Sequence, residues 1–235
     1  MLFFYIRHGD PIYEPDSLTV LGQNQADALA KRLSIYGIDR IYSSPSGRAV
    51  QTAKSTCDLV KKEIQIVDFA NEALAWTDFN IEKNGKRTWL FADEETKMLF
   101  SDESVISLGH RWYEHKEFMS YKKGVDRISE ETYNFFKLLG YEHIKNSGKY
   151  KVLKSNDERI GFFAHQGFGL AFLSEILDIP YPVFSNHFDI CHTGMTVIEF
   201  KEENGFAIPK VLTLSSDSHI YRNGLPTKYN NKIYF

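Results

Sequence analysis

Apolar residues arrive in short dense runs near both ends of the chain, separated by stretches with helical spacing. Residues 2–6 (Leu-Phe-Phe-Tyr-Ile) are unbroken in apolar character, the pattern of a strand covered on both faces. A polar turn rich in Asp and Pro follows, from Gly9 to Asp16. From about Thr19 to Tyr36, Leu21, Ala28, Leu29 and Leu33 recur at helical spacing, with Thr19 placed to cap the helix and Gly37 to stop it. Residues 38–43 read as a second strand. A Ser-Pro turn then opens a helix from about Ser46 to Lys62, and Ile64 to Val67 reads as a third strand. Strand, helix, strand, helix, strand in this order predicts an α/β domain with a largely parallel sheet.

The pattern changes between Trp76 and about Lys123, where aromatics (Trp76, Phe79, Trp89, Phe91, Phe100, Trp112, Tyr113, Phe118, Tyr121) mix with charges and no strand stands out. This segment is expected to be partly helical, to pack its aromatics on the main body, and to cap a site and shape substrate choice. The sheet pattern then returns. Ile128 to His143 reads as an amphipathic helix, Ile160 to Ala164 as a strand and Phe168 to Leu177 as a helix. Thr196–Phe200 and Lys210–Leu214 read as closing strands. No repeat or linker interrupts the 235 residues, which predicts one domain over 1–235 with a cap insertion at about 76–123.

Composition narrows the partners. Lys plus Arg is 28 and Asp plus Glu is 31, a formal charge of −3, without the basic excess of nucleic-acid binders. Cys57 and Cys191 are far apart and in no metal or redox spacing, which suggests reduced thiols and a cytoplasmic protein. The opening apolar run meets Arg7 at once, too short for a signal peptide or a membrane span. His187, His192 and His219 fit no common metal spacing, so no metal is expected.

Four segments carry candidate chemistry, each just past the end of an expected strand, where α/β sheets place their ligands. Arg7-His8-Gly9 offers an imidazole that can attack phosphorus, a guanidinium that matches phosphoryl oxygens, and a glycine that lets the backbone approach an anion. In Ser43-Ser44-Pro45-Ser46-Gly47-Arg48, Arg48 falls in the first turn of a helix, where free N–H groups favour an anion. Ala164-His165-Gln166-Gly167 brings a second histidine able to bind phosphoryl oxygens. Asn71-Glu72 supplies a carboxyl group that can protonate a leaving oxygen, with Asp10, Asp78 and Glu82 as alternatives.

Taken in order, Arg7-His8-Gly9, Ser43-Ser44-Pro45 with Arg48 and Gln51-Thr52-Ala53, Glu72 and Ala164-His165 resemble the histidine phosphatase superfamily, which includes the cofactor-dependent phosphoglycerate mutases. Thr196–Glu199 and Ser218-His219 resemble that family's closing segments. The resemblance implies an α/β three-layer sandwich, its mostly parallel central sheet flanked by helices. It implies that His8 is the nucleophile, that Arg7, Arg48 and His165 hold the phosphoryl oxygens, and that Glu72 is the proton donor. Gln166, standing where the family usually has glycine, is counted with the phosphate-binding residues, and Gly9 and His219 with the pocket. No cofactor is implied.

The resemblance favours a metal-independent phosphomonoesterase acting on a small phosphorylated molecule, with neither nucleic acid nor membrane as partner. Asp10-Pro11-Ile12-Tyr13-Glu14 lacks the Glu-Ser and Trp-Asn features of the mutases. A phosphoglycerate mutase-type transferase and a catalytically weak phospho-ligand binder are the other readings. His8 must attack as neutral imidazole, a state that neighbouring arginines favour and a nearby carboxylate opposes.

Overall fold

The computed structural model describes residues 1–227. In chain order they form β1 (Leu2–Arg7), the two-residue strands β2 (Pro11–Ile12) and β3 (Ser17–Leu18), α1 (Val20–Tyr36), β4 (Arg40–Ser43), α2 (Gly47–Val60) and β5 (Ile64–Ile66). A 3-10 turn at Asp68–Ala70 leads into α3 (Glu72–Phe79), the hairpin β6 (Asn80–Lys83) and β7 (Lys86–Trp89), α4 (Glu94–Phe100) and α5 (Glu103–Ile106). There follow α6 (Lys122–Leu138), β8 (Tyr141–Ile144), β9 (Lys149–Val152), β10 (Arg159–Ala164), α7 (Gln166–Leu177) and α8 (Tyr181–His187). The described chain closes with β11 (Met195–Glu199), β12 (Glu202–Glu203), β13 (Phe206–Ala207), β14 (Lys210–Ser216) and α9 (Ser218–Arg222).

Six strands make the central sheet in the order β14-β11-β1-β10-β4-β5. β1, β10, β4 and β5 run parallel, while β11 and β14 are antiparallel to their neighbours. The apolar run of β1 feeds two cores by strand alternation. Phe3 and Tyr5 face one cluster with Phe162, Phe168, Phe172 and Phe136. Phe4 and Ile6 face the other with Leu29 and Leu33 of α1 and Ala53 and Cys57 of α2. The expected α/β sandwich with helices on both faces is therefore present. Thr19 caps α1 by accepting from Gly22 N, and Gly37 ends it in the left-handed region at φ 73°.

Two elements differ from the sequence reading. The helix expected over Ile128–His143 runs instead from Lys122 to Leu138. Gly140, at φ 98°, turns the chain, and Tyr141–Ile144 becomes a strand of a second sheet ordered β12-β13-β9-β8. Within the aromatic segment, where no strand is expected, β6 and β7 pair as a hairpin. Its Phe79, Leu90, Phe100, Trp112 and Phe118 are buried in the same cluster as Tyr5 and Phe162. Among the described residues no helix is long and apolar enough to cross a membrane, and Cys57 and Cys191 are free thiols.

Candidate active site

The carboxyl ends of β1, β4 and β10 lie side by side, and backbone bonds continue past them: His8 N donates to Ala164 O at 2.9 Å and Ser44 N to Phe163 O at 2.9 Å. Parallel pairing thus delivers three of the four predicted segments to one edge. The fourth follows β5 through the 3-10 turn. Because β11 runs antiparallel, the loop before it, residues 188–194, arrives at the same edge.

His8 is 3% exposed, and its Nδ1 lies 2.7 Å from the Gly9 carbonyl oxygen. A carbonyl only accepts, so Nδ1 carries the hydrogen and Nε2 holds the free lone pair. Burial, then the neighbouring His165 and Arg7, push the His8 pKa well below that of an ordinary histidine, so the imidazole is neutral. The loop is held from behind. Thr193 N donates to the carbonyls of Arg7 and His8, and Gly9 N donates to Thr52 Oγ1 at 3.0 Å. A Cβ on Gly9 would meet Gly22 O at 2.6 Å, so the glycine serves close contact with α1.

Arg7, 7% exposed, donates from Nη1 to Ile190 O at 2.6 Å and from Nη2 to His192 Nε2 at 3.0 Å. Arg48 sits in the first turn of α2, as expected, and its Nη1 donates to Asp16 Oδ1 at 2.8 Å. Asp16 also accepts from Gly47 N at 2.8 Å, which joins the loop before α1 to the start of α2. His165 is fully buried, with Nε2 at 2.8 Å from Ser44 Oγ. The alternative partner of that hydroxyl, Ser46 Oγ, is at 3.4 Å. A hydroxyl can donate or accept, so the direction of the Ser44–His165 bond goes with the imidazole tautomer. Burial and the charges of Arg48 and Arg7 hold the His165 pKa well below normal.

Glu72 begins α3 and reaches the first turn of α7. Its Oε1 accepts from Gly167 N at 3.0 Å and its Oε2 from Phe168 N at 2.8 Å. Burial raises its pKa above the ordinary carboxyl value, against the opposing pull of these N–H groups and of Arg48 and Arg7. The other candidate acids are engaged elsewhere in two cases: Asp78 pairs with Arg127 at 2.6 Å and Glu82 with Arg87 at 3.0 Å. Asp10 lies near the cluster, accepting from Thr19 Oγ1 and standing 3.7 Å from His192 Nδ1.

Two predicted residues sit differently from the rest. Gln166 directs its side-chain amide to Asp189. His219 is buried behind the loop, its Nε2 at 3.0 Å from Thr193 Oγ1, and it lines a separate cleft with Lys31, Arg32 and Arg222. Sequence reasoning missed His192, Ser44 and Asp16 as site residues. Ser44 lies inside the Ser43-Ser44-Pro45 motif, but His192 and Asp16 carry no local signal, since both act across long sequence separations.

Arg7 Nε, Arg48 Nε and His165 Nδ1 are buried with no hydrogen-bond partner. Fold and site together define an α/β protein with a neutral histidine set among cationic donors, suited to binding a phosphoryl group. Residues 4–114 match the family model "Histidine phosphatase superfamily (branch 1)". Among curated protein sequences none matches it. Similar solved structures include phosphoserine phosphatase from Entamoeba histolytica in complex with 3-phosphoglyceric acid (19% identity, 93% of this chain and 98% of that chain, TM-score 0.60). They also include mycobacterial glucosyl-3-phosphoglycerate phosphatase with inorganic phosphate (13%, 93% and 98%, TM-score 0.59). A putative α-ribazole-5′-P phosphatase from Escherichia coli is a third (18%, 92% and 98%, TM-score 0.56). At these identities the likeness is one of fold, and the family-model match over residues 4–114 supports a phosphatase or a related phosphoryl transferase.

Proposed function

We propose that this protein is a phosphomonoester hydrolase that works through a phosphohistidine on His8 and needs no metal ion. The observation that carries the reading is the set of buried donors around His8. Burying a donor unpaired costs roughly 1–3 kcal/mol, more for a charged group, so Arg7 Nε, Arg48 Nε and His165 Nδ1 together favour an anion with several acceptor oxygens. A phosphoryl group has that form, and the guanidinium forks match it.

In the first step the Nε2 lone pair of His8 attacks phosphorus as the ester P–O bond breaks. Arg7, Arg48 and His165 Nδ1–H hold the three other oxygens, and Glu72 gives its proton to the departing oxygen. In the second step the Glu72 carboxylate takes a proton from water, the hydroxide attacks phosphorus, and His8 leaves with its lone pair restored. The raised Glu72 pKa favours the protonated acid required first, and the lowered His8 pKa favours the neutral nucleophile. The free thiols of Cys57 and Cys191 support a cytoplasmic setting. The aromatic segment at about 76–123 acts as a cap over this site.

The test is hydrolysis of p-nitrophenyl phosphate in the presence of EDTA by wild type and His8→Ala. Turnover that survives the chelator and disappears in the variant is expected. Turnover retained by His8→Ala, or abolished in wild type by EDTA, contradicts the reading.

A further inference from the structure

We propose that the substrate is a phosphomonoester whose alcohol carries an aromatic or similarly flat apolar group, seated in a cleft formed by the end of the β6–β7 hairpin, α4 and the loop after α8. The proposal rests on the hydrolase reading above and adds the class of leaving group.

The cleft holds about 540 Å³, the size of a pocket for a small organic molecule. Trp89, Phe91, Leu170 and Phe188 supply its apolar walls, and Gln166 and Asp189 line it too. Gln166 directly follows His165, and Asp189 directly precedes Ile190, whose carbonyl oxygen binds Arg7 Nη1. The Gln166–Asp189 bridge is thus a wall shared by the cleft and the phosphoryl-binding groups.

Trp89 ties the cleft to the proton donor. Its ring packs on Gly167, where a Cβ would fall 2.4 Å from the indole Cη2, and the Gly167 N–H is the group that Glu72 Oε1 accepts. A leaving oxygen at Glu72 therefore has an aromatic wall beside it. Trp89 is held in place by Phe91, stacked at 5.5 Å and 24°, and by Trp76, edge-on at 4.9 Å.

Three of the polar side chains of the lining are engaged with neighbours, while Lys97 and His187 also line the cleft. Gln166 and Asp189 bond each other, and Asp189 Oδ1 also accepts from Ile190 N. The Asn186 amide nitrogen donates to Lys97 O and Ser101 Oγ. The Asn186 amide oxygen and the Ser185 hydroxyl are buried without a hydrogen-bond partner. Trp89, Phe91 and Phe188 give the cleft three aromatic rings, which reward apolar and stacking contact with a flat group.

The experiment compares 2-phenylethyl phosphate with ethyl phosphate, two esters of similar reactivity that differ by one ring. Wild type should show roughly tenfold or greater preference in kcat/KM for the phenylethyl ester, the fold-change expected from burying a phenyl group. Phe188→Ala should bring that ratio to within about twofold of one, by loss of the ring's apolar contact. Equal kcat/KM values in wild type, or a ratio unmoved in both Phe188→Ala and Phe91→Ala, overturn the proposal. Calorimetric binding of the same two esters to His8→Ala gives a readout free of turnover. If wild type hydrolyses neither ester, the hydrolase reading fails. The cleft proposal then stands only if His8→Ala binds the phenylethyl ester at least about tenfold more tightly.

Discussion

Glu72 Oε1 accepts the backbone N–H of Gly167 at 3.0 Å, joining the start of α3 to the first turn of α7. In the proposed mechanism the same carboxyl group is both a clasp for the helix that follows His165 and the acid. Burial raises its pKa while burial lowers that of His8, so one dry environment favours both protonation states that the proposed mechanism uses.

The pH profile follows from these two directions. Protonation of His8 removes the nucleophile, so the acid limb of kcat/KM lies well below the ordinary histidine value of 6.5. Ionisation of Glu72 removes the acid, so the basic limb lies above the ordinary carboxyl value of 4.5. Glu72→Gln should lose that basic limb and fall about 10²–10³-fold with an alkyl ester, less with p-nitrophenyl phosphate, whose leaving oxygen needs little protonation. A Glu72→Gln profile that keeps the wild-type basic limb contradicts the assignment.

Arg7 and His192 give a test of positioning. His192 Nε2 accepts from Arg7 Nη2 at 3.0 Å and so orients a guanidinium that has little other freedom. His192→Phe should raise KM and weaken inhibition by inorganic phosphate about tenfold, the scale of one hydrogen bond to a charged group. His192→Gln, which keeps an acceptor, should recover much of that loss. Equal inhibition constants in wild type and His192→Phe count against the role.

His219 should show in stability and not in chemistry. Burial, with the nearby Arg32 charge, lowers its pKa to about 4. The unfolded chain, with an ordinary histidine near 6.5, binds this proton more readily, so the contribution is complete above that value and is lost as pH falls through about 4. The change amounts to at most roughly 3 kcal/mol. His219→Gln keeps a donor toward Thr193 Oγ1, and its urea midpoints should fall less steeply over that range. Parallel curves for the two proteins contradict the assignment.

Gly167→Ala tests the seat of Trp89. The added methyl meets the indole ring at 2.4–2.7 Å, too close to keep, and the change should cost about 1–3 kcal/mol. A double variant with Trp89→Leu should lose less than the sum of the two single changes, because the clash is gone. Strict additivity in denaturant unfolding rules out the contact.

Much of this site could be read from local pattern because each motif follows an apolar run. The run at residues 2–6 became β1 and delivered Arg7 and His8, and the run at Ile160–Ala164 became β10 and delivered His165. Parallel pairing then did the rest. The hairpin went unread although Asn84-Gly85, both at positive φ, is a favoured two-residue turn, because its strands are dominated by charged side chains. The apolar positions Phe135, Leu138 and Leu139 crowd the end of α6 next to the turn at Gly140, which shifts the expected helix six residues past its start at Lys122. His192 was out of reach for another reason. Only the antiparallel course of β11 brings the preceding loop to Arg7, and no periodicity within the loop records that pairing.

The most direct measurement is to quench wild type and His8→Ala under alkaline conditions during turnover of a ³²P-labelled phosphomonoester and to map the label. The account predicts an acid-labile phosphoryl group on the wild-type peptide that contains His8 and none on the variant. Turnover without label, label on another residue, or equal labelling of His8→Ala contradicts it.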